Sequence, residues 1–146
     1  GEPKEEEDAE FLPALVGRIR RRLERNGISL EVRDGTAGAA ASLDAEAKAE
    51  LSKVFDERAS NALKHSGAGK VRLAFDAEGG RLKFRFKDDG AGFEPQAAAG
   101  KGSGLSNIDF RVRRLGGSVR LSSRPGKGAE FAVEIPLERS LPEERE

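Results

Sequence analysis

The sequence predicts a two-layer sandwich of the α/β (α+β) class, in which a mixed, mostly antiparallel sheet of about five strands is covered on one face by about three helices. Two long stretches carry apolar residues every three or four positions, a spacing typical of amphipathic helices. Several shorter stretches alternate apolar and polar residues around glycine-bearing turns, which is typical of hairpins. The length of 146 residues favours one domain over two.

The first predicted elements are a helix over residues 11–26 and a strand over residues 28–32. The charged, apolar-poor residues 1–10 before them are predicted to be a disordered acidic lead-in. Gly27 is expected to stop the helix, and Asp34-Gly35 is expected to turn the chain after the strand. The apolar face of the helix consists of Phe11, Leu12, Leu15, Val16, Ile19 and Leu23.

A loop over residues 36–42 leads into a longer helix. Ser42 or Asp44 can cap its first turn, and the helix is predicted to continue to about Ser66 and to end at Gly67. Its apolar side consists of Ala47, Leu51, Val54, Phe55, Ala59, Ala62 and Leu63.

Two hairpins with a helix between them complete the predicted domain. Alternation within the first hairpin indicates that one of its faces is buried and the other solvated. The domain is predicted to span residues 11–137, and the charged residues 138–146 are predicted to form a tail. The predicted segments are, in order, strands 71–75 and 82–86 joined by the turn 77–80, a helix over 105–115, and a hairpin with strands from Val119 and from Phe131 to Ile135.

The composition excludes several classes of function. The 26 basic and 26 acidic residues cancel, so the net charge gives no argument for binding nucleic acid or an anionic membrane. The absence of cysteine excludes disulfides, thiolate metal sites and a cysteine nucleophile, and the single histidine cannot build a histidine-rich metal site. Because methionine is absent even from the first position, we expect a fragment of a longer protein or a processed chain. We expect it to be cytoplasmic, although other segments of the parent protein could anchor that protein in a membrane.

Two glycine-bearing segments could hold a ligand. Asp88-Asp89-Gly90-Ala91-Gly92-Phe93 directly follows a predicted strand, so a carboxylate there can accept hydrogen bonds while the glycines let the backbone approach a ligand. Gly100-Lys101-Gly102-Ser103-Gly104-Leu105 leads into a helix, where backbone N–H groups and the Lys101 ammonium can bind phosphate. Taken alone, the first segment is as often a plain turn, and the second is more often a linker.

A third candidate lies on the long helix. Glu57 and Asn61 are four residues apart and Lys64 is three further, so the three side chains share one ridge, with His65 beside it. A carboxamide oxygen suits Mg²⁺, which keeps its waters, and a nearby carboxylate can orient or deprotonate an attacking group. Taken alone, such a ridge is more often an ordinary solvated helix face.

In this order, the three segments resemble the motifs of GHKL (Bergerat-fold) ATPases. Residues 56–68 resemble the N box, residues 88–93 the first glycine box and residues 100–105 the second. Residues 123–129 resemble the last glycine turn of the family, and residues 135–137 its final strand. Among these ATPases, the chain is most similar to sensor histidine kinases that partner NarL-type response regulators.

The resemblance implies ATP and Mg²⁺ as cofactors and gives each site residue a role. Asn61 would hold Mg²⁺ between the phosphates, Glu57 would help to activate or orient the attacking group, and Asp88 would bind the adenine amino group. Residues 94–103 would form a short lid over ATP. The implied nucleotide-binding residues are Asn61, Lys64, His65, Asp88, Gly90, Gly92, Lys101, Gly102, Gly104 and Leu105.

The resemblance further implies a histidine protein kinase. The domain would transfer the γ-phosphoryl group of ATP to a histidine on a separate dimerisation domain, which this sequence lacks. A NarL-type response regulator would be an indirect partner. The fragment is then expected to be a monomer that binds ATP and transfers little phosphate alone. Two alternatives stay open: a GHKL serine kinase of the anti-sigma-factor type, and a nucleotide-binding module without catalysis.

Overall fold

The computed structural model describes residues 11–92 and 105–138 of the chain. The predicted acidic lead-in, the lid and most of the charged tail therefore lie outside the described residues. Within the described ranges the helices are α1 (Phe11–Arg25), α2 (Ala45–Asn61) and α3 (Leu105–Arg114). The strands are β1 (Ser29–Gly35), β2 (Lys70–Glu78), β3 (Arg81–Asp88), β4 (Ser118–Ser123) and β5 (Ala129–Pro136).

The five strands form one sheet in the order β1-β2-β3-β5-β4. β1 and β2 are parallel, whereas the other three pairs are antiparallel. The parallel pair needs a crossover, and α2 lies in the connection between β1 and β2. The predicted mixed, mostly antiparallel sheet of five strands is thus confirmed.

The core lies between the helices and one face of this sheet. Alternate residues of the central strands are buried on that face, as the alternation predicts. Three phenylalanines join α2 to the sheet, with ring centroids 4.5 Å apart for Phe55 and Phe84 and 5.8 Å apart for Phe55 and Phe75. Buried aromatic pairs at this spacing contribute about 1 kcal/mol each beyond the burial of their area. The helices therefore cover one face, as predicted.

The opposite face of the sheet carries charged side chains that pair across the strands. Arg33 on β1 lies 3.1 Å from Asp76 on β2, and Arg81 on β3 lies 3.2 Å from Glu134 on β5. Exposed pairs of this kind contribute little stability. Their importance here is that they make this face polar, so the sheet needs helices on one side only.

Helix α2 begins and ends close to the predicted positions. Asp44 is the cap, because its carboxylate accepts a hydrogen bond of 2.8 Å from the backbone N–H of Ala47. After Asn61 the helix widens into a π-helical turn, Ala62–Ser66, and the chain leaves it at Gly67 with φ +65°. Such wide turns are common at functional sites.

Two turns differ from the prediction. Asp34-Gly35 was predicted to be a turn, which is wrong, because both residues continue β1 and pair with β2. The Asp34 carboxylate instead accepts hydrogen bonds from the N–H and hydroxyl of Thr36, so the turn follows the strand. In the first hairpin, β2 and β3 extend so far that only Gly79 and Gly80, both at positive φ, form the turn.

No helix among the described residues is long and apolar enough to cross a membrane.

Candidate functional site

The centre of the candidate site is the buried carboxylate of Asp88 at the end of β3. Because strand residues alternate between faces, Asp88 lies on the same face as the buried Phe84 and Phe86. Its side chain is 2% exposed, and its Oδ1 accepts a hydrogen bond of 2.8 Å from the backbone N–H of Gly90. The first glycine box thus begins with a carboxylate that faces inward.

A second buried charge, Arg58, lies against this carboxylate. Its Nη2 is 3.6 Å from Oδ2 of Asp88, and its side chain is also 2% exposed. The guanidinium carbon lies 3.6 Å from the ring centroid of Phe131 and 5.1 Å from that of Phe86. Burial lowers the pKa of Arg58 to about 10, although the Asp88 carboxylate opposes this, so the guanidinium stays charged at neutral pH.

The sequence interpretation missed Arg58 as a site residue. A signal was present, because Arg58 follows Leu51 by seven residues and precedes Ala62 by four. This spacing places it on the apolar side of α2. An arginine at such a position is buried and needs an anionic partner.

The neighbouring Asp89 points the other way and has a different role. Its Oδ1 accepts hydrogen bonds of 2.9 Å and 3.0 Å from the backbone N–H groups of Gly69 and Lys70. These bonds, the one from Lys70 foremost, lower the pKa of Asp89. Asp89 therefore fastens the end of β3 to the start of β2, whereas Asp88 is directed into the molecule.

The glycine box after β3 packs closely on the turn between β4 and β5. Gly92 has φ +69°, and a Cβ atom there would collide with the carbonyl oxygen of Arg124. Gly128 has φ +74°, and a Cβ there would collide with the carbonyl oxygen of Asp88. The N–H of Gly126 donates to the carbonyl of Ala91. The first glycine box is thus in direct contact with the last glycine turn, residues 123–129.

Glu57 and Asn61 lie on one side of α2, next to the buried Arg58. Both are half-buried, whereas Lys64 in the π-helical turn is exposed. Among the described residues there is no cluster of three or more histidine or acidic side chains that could hold a metal ion. Of the remaining predicted site residues, His65 and Leu105 are placed by their backbone only, and Lys101, Gly102 and Gly104 lie outside the described residues.

Helix α3, which begins directly after the second glycine box, is fastened to α2. Nη1 of Arg111 lies 2.9 Å from Oε1 of Glu50, a nearly buried carboxylate, and Arg114 lies 3.1 Å from Glu46. The hydrogen bond from Arg111 lowers the pKa of Glu50 in spite of burial. The second half of α3 is therefore held against the first turns of α2, the helix that carries Glu57 and Asn61 at its other end.

This arrangement of helices, sheet and glycine segments matches a known family. Residues 46–139 match the family described as histidine kinase-, DNA gyrase B- and HSP90-like ATPase. The chain belongs to this ATPase family. The predicted GHKL membership is therefore confirmed, and with it the use of ATP. Its association with a NarL-type response regulator stays a prediction.

Several sensor histidine kinases are similar to this GHKL domain in sequence. The sensor histidine kinase ComP of Bacillus subtilis is 33% identical over 132 residues, which are 89% of this chain and 17% of ComP. LiaS, also from Bacillus subtilis, is 30% identical over 95 residues, which are 65% of this chain and 26% of LiaS. The GHKL domain thus spans about a quarter or less of the length of these relatives.

Solved structures, a histidine kinase among them, share the fold. The blue-light activated histidine kinase of Erythrobacter litoralis EL346 matches with a TM-score of 0.68 at 22% identity, over 84% of this chain and 40% of that chain. Full-length ShkA in complex with AMPPNP matches with a TM-score of 0.64 at 26% identity, over 88% of this chain and 29% of ShkA. The predicted two-layer fold is the fold of these structures.

Proposed function

We propose that this chain is the ATP-binding catalytic domain of a sensor histidine kinase. It would donate the γ-phosphoryl group of Mg·ATP to a histidine on a separate dimerisation domain. The observation that carries the proposal is the buried, inward-facing carboxylate of Asp88 beside the helix that bears Glu57 and Asn61. The sensor histidine kinases that resemble most of the chain, and the AMPPNP bound by ShkA, support it.

Asp88 would recognise the adenine base. An ionised carboxylate only accepts hydrogen bonds, and the exocyclic amino group of adenine donates them. One oxygen of Asp88 is already oriented by the N–H of Gly90, so little freedom is lost when the base binds. Gly90 and Gly92 would form the wall beside the base, where the backbone can approach it without a side chain.

Asn61 and Glu57 would serve the phosphates at the other end of the nucleotide. Mg²⁺ takes oxygen ligands, is usually held by one or two protein groups together with phosphates, and keeps several waters. A single half-buried carboxamide on Asn61 fits such an ion, which would neutralise phosphate charge in the reaction. Glu57, one turn earlier, would orient the attacking imidazole or take its proton.

The remaining predicted residues would surround the phosphates. The exposed Lys64 can reach outward from α2 as a point charge, with His65 next to it. Lys101, Gly102, Gly104 and Leu105 would bring the N-terminal N–H groups of α3 to the phosphates, where a helix attracts anions. The salt bridges between α3 and α2 support this placement, because they keep the two helices adjacent.

Calorimetric titration of Mg·ATP into the 146-residue chain tests the base-binding role of Asp88. Asp88→Asn replaces an acceptor-only group with one that presents donors to the adenine amino group, so affinity is expected to fall at least about tenfold. Asp89→Asn is the matched control, because it changes the neighbouring carboxylate that faces Gly69 and Lys70. It is expected to leave affinity unchanged within about twofold.

Two outcomes contradict the proposal at different points. Equal affinity of wild type and Asp88→Asn would remove Asp88 from the base site while leaving ATP binding intact. If the wild-type chain fails to bind ATP at millimolar concentration with Mg²⁺ present, the whole nucleotide-site proposal is overturned.

A further inference from the structure

The pairing of Arg58 with Asp88 is the one buried ion pair between α2 and the sheet among the described residues. It brings a cation from the N-box helix to the carboxylate that ends β3. The guanidinium also lies over the ring of Phe131, a residue of β5, at 3.6 Å. One side chain thus joins three elements at the candidate base site.

This arrangement is costly if its role is packing alone. A buried guanidinium loses its hydration, and replacing a buried ion pair with apolar residues of similar volume is often neutral or stabilising. In the described part of the chain, Nε of Arg58 has no hydrogen-bond partner, so desolvation is not fully compensated. Apolar side chains in place of both Arg58 and Asp88 would fill the space beside Phe86 and Phe131 without that cost.

The surroundings of Asp88 leave Arg58 as the group that restrains its second oxygen. Oδ1 is held by the N–H of Gly90, and Oδ2 faces Nη2 of Arg58. Across the sheet, Asp88 pairs with Val71 and Ala129, whose apolar side chains cannot donate a hydrogen bond. With both oxygens restrained, the carboxylate presents its free lone pairs in one fixed direction.

We propose that Arg58 is a positioning residue for Asp88, and that by fixing this carboxylate it sets the preference of the site for a purine with a 6-amino group. The inference rests on the proposed role of Asp88 in binding adenine. In this proposal Arg58 acts through Asp88 and does not contact the nucleotide. Its stacking on Phe131 makes the cation rigid, because the planar guanidinium is held between the aromatic rings and the acid.

Other charged groups near Asp88 do not take this role. They line a surface pocket next to Asp88. None of them is substituted in the variants compared below, so they cannot cause a difference in nucleotide preference between those variants. These groups are Lys70, Arg72, Lys87, Asp89 and Lys127.

The test combines a change in the protein with a change in the ligand. Calorimetry on the 146-residue chain compares Mg·ATP with purine riboside triphosphate, which lacks only the 6-amino group. The readout is the ratio of the two dissociation constants. A role in packing weakens both nucleotides alike and leaves the ratio unchanged, whereas a role in positioning Asp88 changes the ratio.

Three variants are compared with the wild type. Arg58→Met keeps the apolar stem and removes the charge, and Arg58→Lys keeps the charge without the planar fork. Arg22→Met is the matched control, since Arg22 also contacts α2, donating to Ser60 Oγ at 2.6 Å and to the carbonyl of Asp56, and lies away from Asp88. Urea unfolding of each variant measures stability separately.

The wild type is expected to favour ATP over the deaminated analogue by about tenfold. In Arg58→Met this preference should fall to less than about threefold, in Arg58→Lys it should be intermediate, and in Arg22→Met it should equal that of the wild type. If Arg58→Met does not fold, Arg58→Lys decides, and a wild-type ratio in that variant overturns the proposal.

Failures of the two proposals are distinguishable. A wild-type ratio in folded Arg58→Met overturns the role of Arg58 and leaves the ATP site standing. If the wild type binds both nucleotides equally, Asp88 does not read the 6-amino group, and both the base-site role and the positioning role fail. If the wild type binds neither nucleotide, the proposed function fails first, and the role of Arg58 fails with it.

Discussion

At the scale of single residues, the candidate site depends on backbone approaches that only glycine permits. Gly92 and Gly128 both adopt positive φ, and at each the space for a Cβ is already taken by a carbonyl oxygen of the facing segment. Other glycines at positive φ, such as Gly27, have open space around them. Position 27 therefore favours glycine only because of its positive φ. Position 92 favours glycine because of its positive φ and because there is no space for a Cβ atom.

Gly92→Ala is expected to destabilise the chain by about 3 kcal/mol, because it adds a collision with backbone to the cost of a left-handed alanine. The control Gly27→Ala has φ +82° and no neighbour, so it should cost only about 1 kcal/mol. Urea unfolding of both variants checks this difference. Equal losses would mean that the contact with the β4–β5 turn is easily relaxed.

The inward direction of Asp88 could be predicted from sequence, whereas its partner could not. Alternation through Leu82, Phe84 and Phe86 continues to Asp88, so the carboxylate falls on the core face. Arg58 stands far from both Asp88 and Phe131 in sequence, and only the packing of α2 on the sheet brings them together. The position of Arg58 on the apolar face of α2 predicts that it is buried, but does not predict which acidic residue it pairs with.

At the scale of elements, the interface between α2 and α3 contains ion pairs as well as apolar contacts. Glu50 is nearly buried and receives Arg111 at 2.9 Å, while the apolar side of α3 buries Ile108 and Val112. Apolar patterning predicted both helices and which faces they bury. It could not predict that Asp34-Gly35 continues β1, because the parallel pairing with β2 that extends the strand is a tertiary interaction.

Arg111→Met is expected to lower the free energy of unfolding by about 2 kcal/mol, since Glu50 keeps its burial and loses its main partner. Arg113→Met on the same helix is the control. Arg113 pairs with Asp109 in the exposed i,i+4 arrangement, so its loss should cost under about 0.5 kcal/mol. Urea unfolding at neutral pH measures both, and similar values would argue that Glu50 is solvated rather than paired.

At the scale of the whole molecule, this chain matches only part of the length of its relatives. It spans 17% of ComP and 26% of LiaS. In our proposal the ATP site and the acceptor histidine are on different domains. The isolated chain is then expected to bind ATP as a monomer and to transfer little phosphate.

Addition of the His-bearing dimerisation domain of the parent kinase should produce phosphate transfer from labelled Mg·ATP. Glu57→Gln is expected to slow this transfer about 100-fold, because in our proposal it removes the group that would orient the attacking imidazole or accept its proton. ATP affinity should stay within about twofold of that of the wild type, which calorimetry checks. A dimerisation domain without its acceptor histidine is the control, and unchanged transfer by Glu57→Gln would assign the role elsewhere.

The alternation of β3 has a consequence for insertions and deletions. Side chains repeat every second residue along a strand, so a slip of one residue would turn Asp88 outward and bring Asp89 inward. The same slip would push Phe84 and Phe86 into water and draw the cations of this strand into the core. Burial of these aromatic side chains therefore fixes the register of β3. The register in turn determines which of the two adjacent aspartates faces the core.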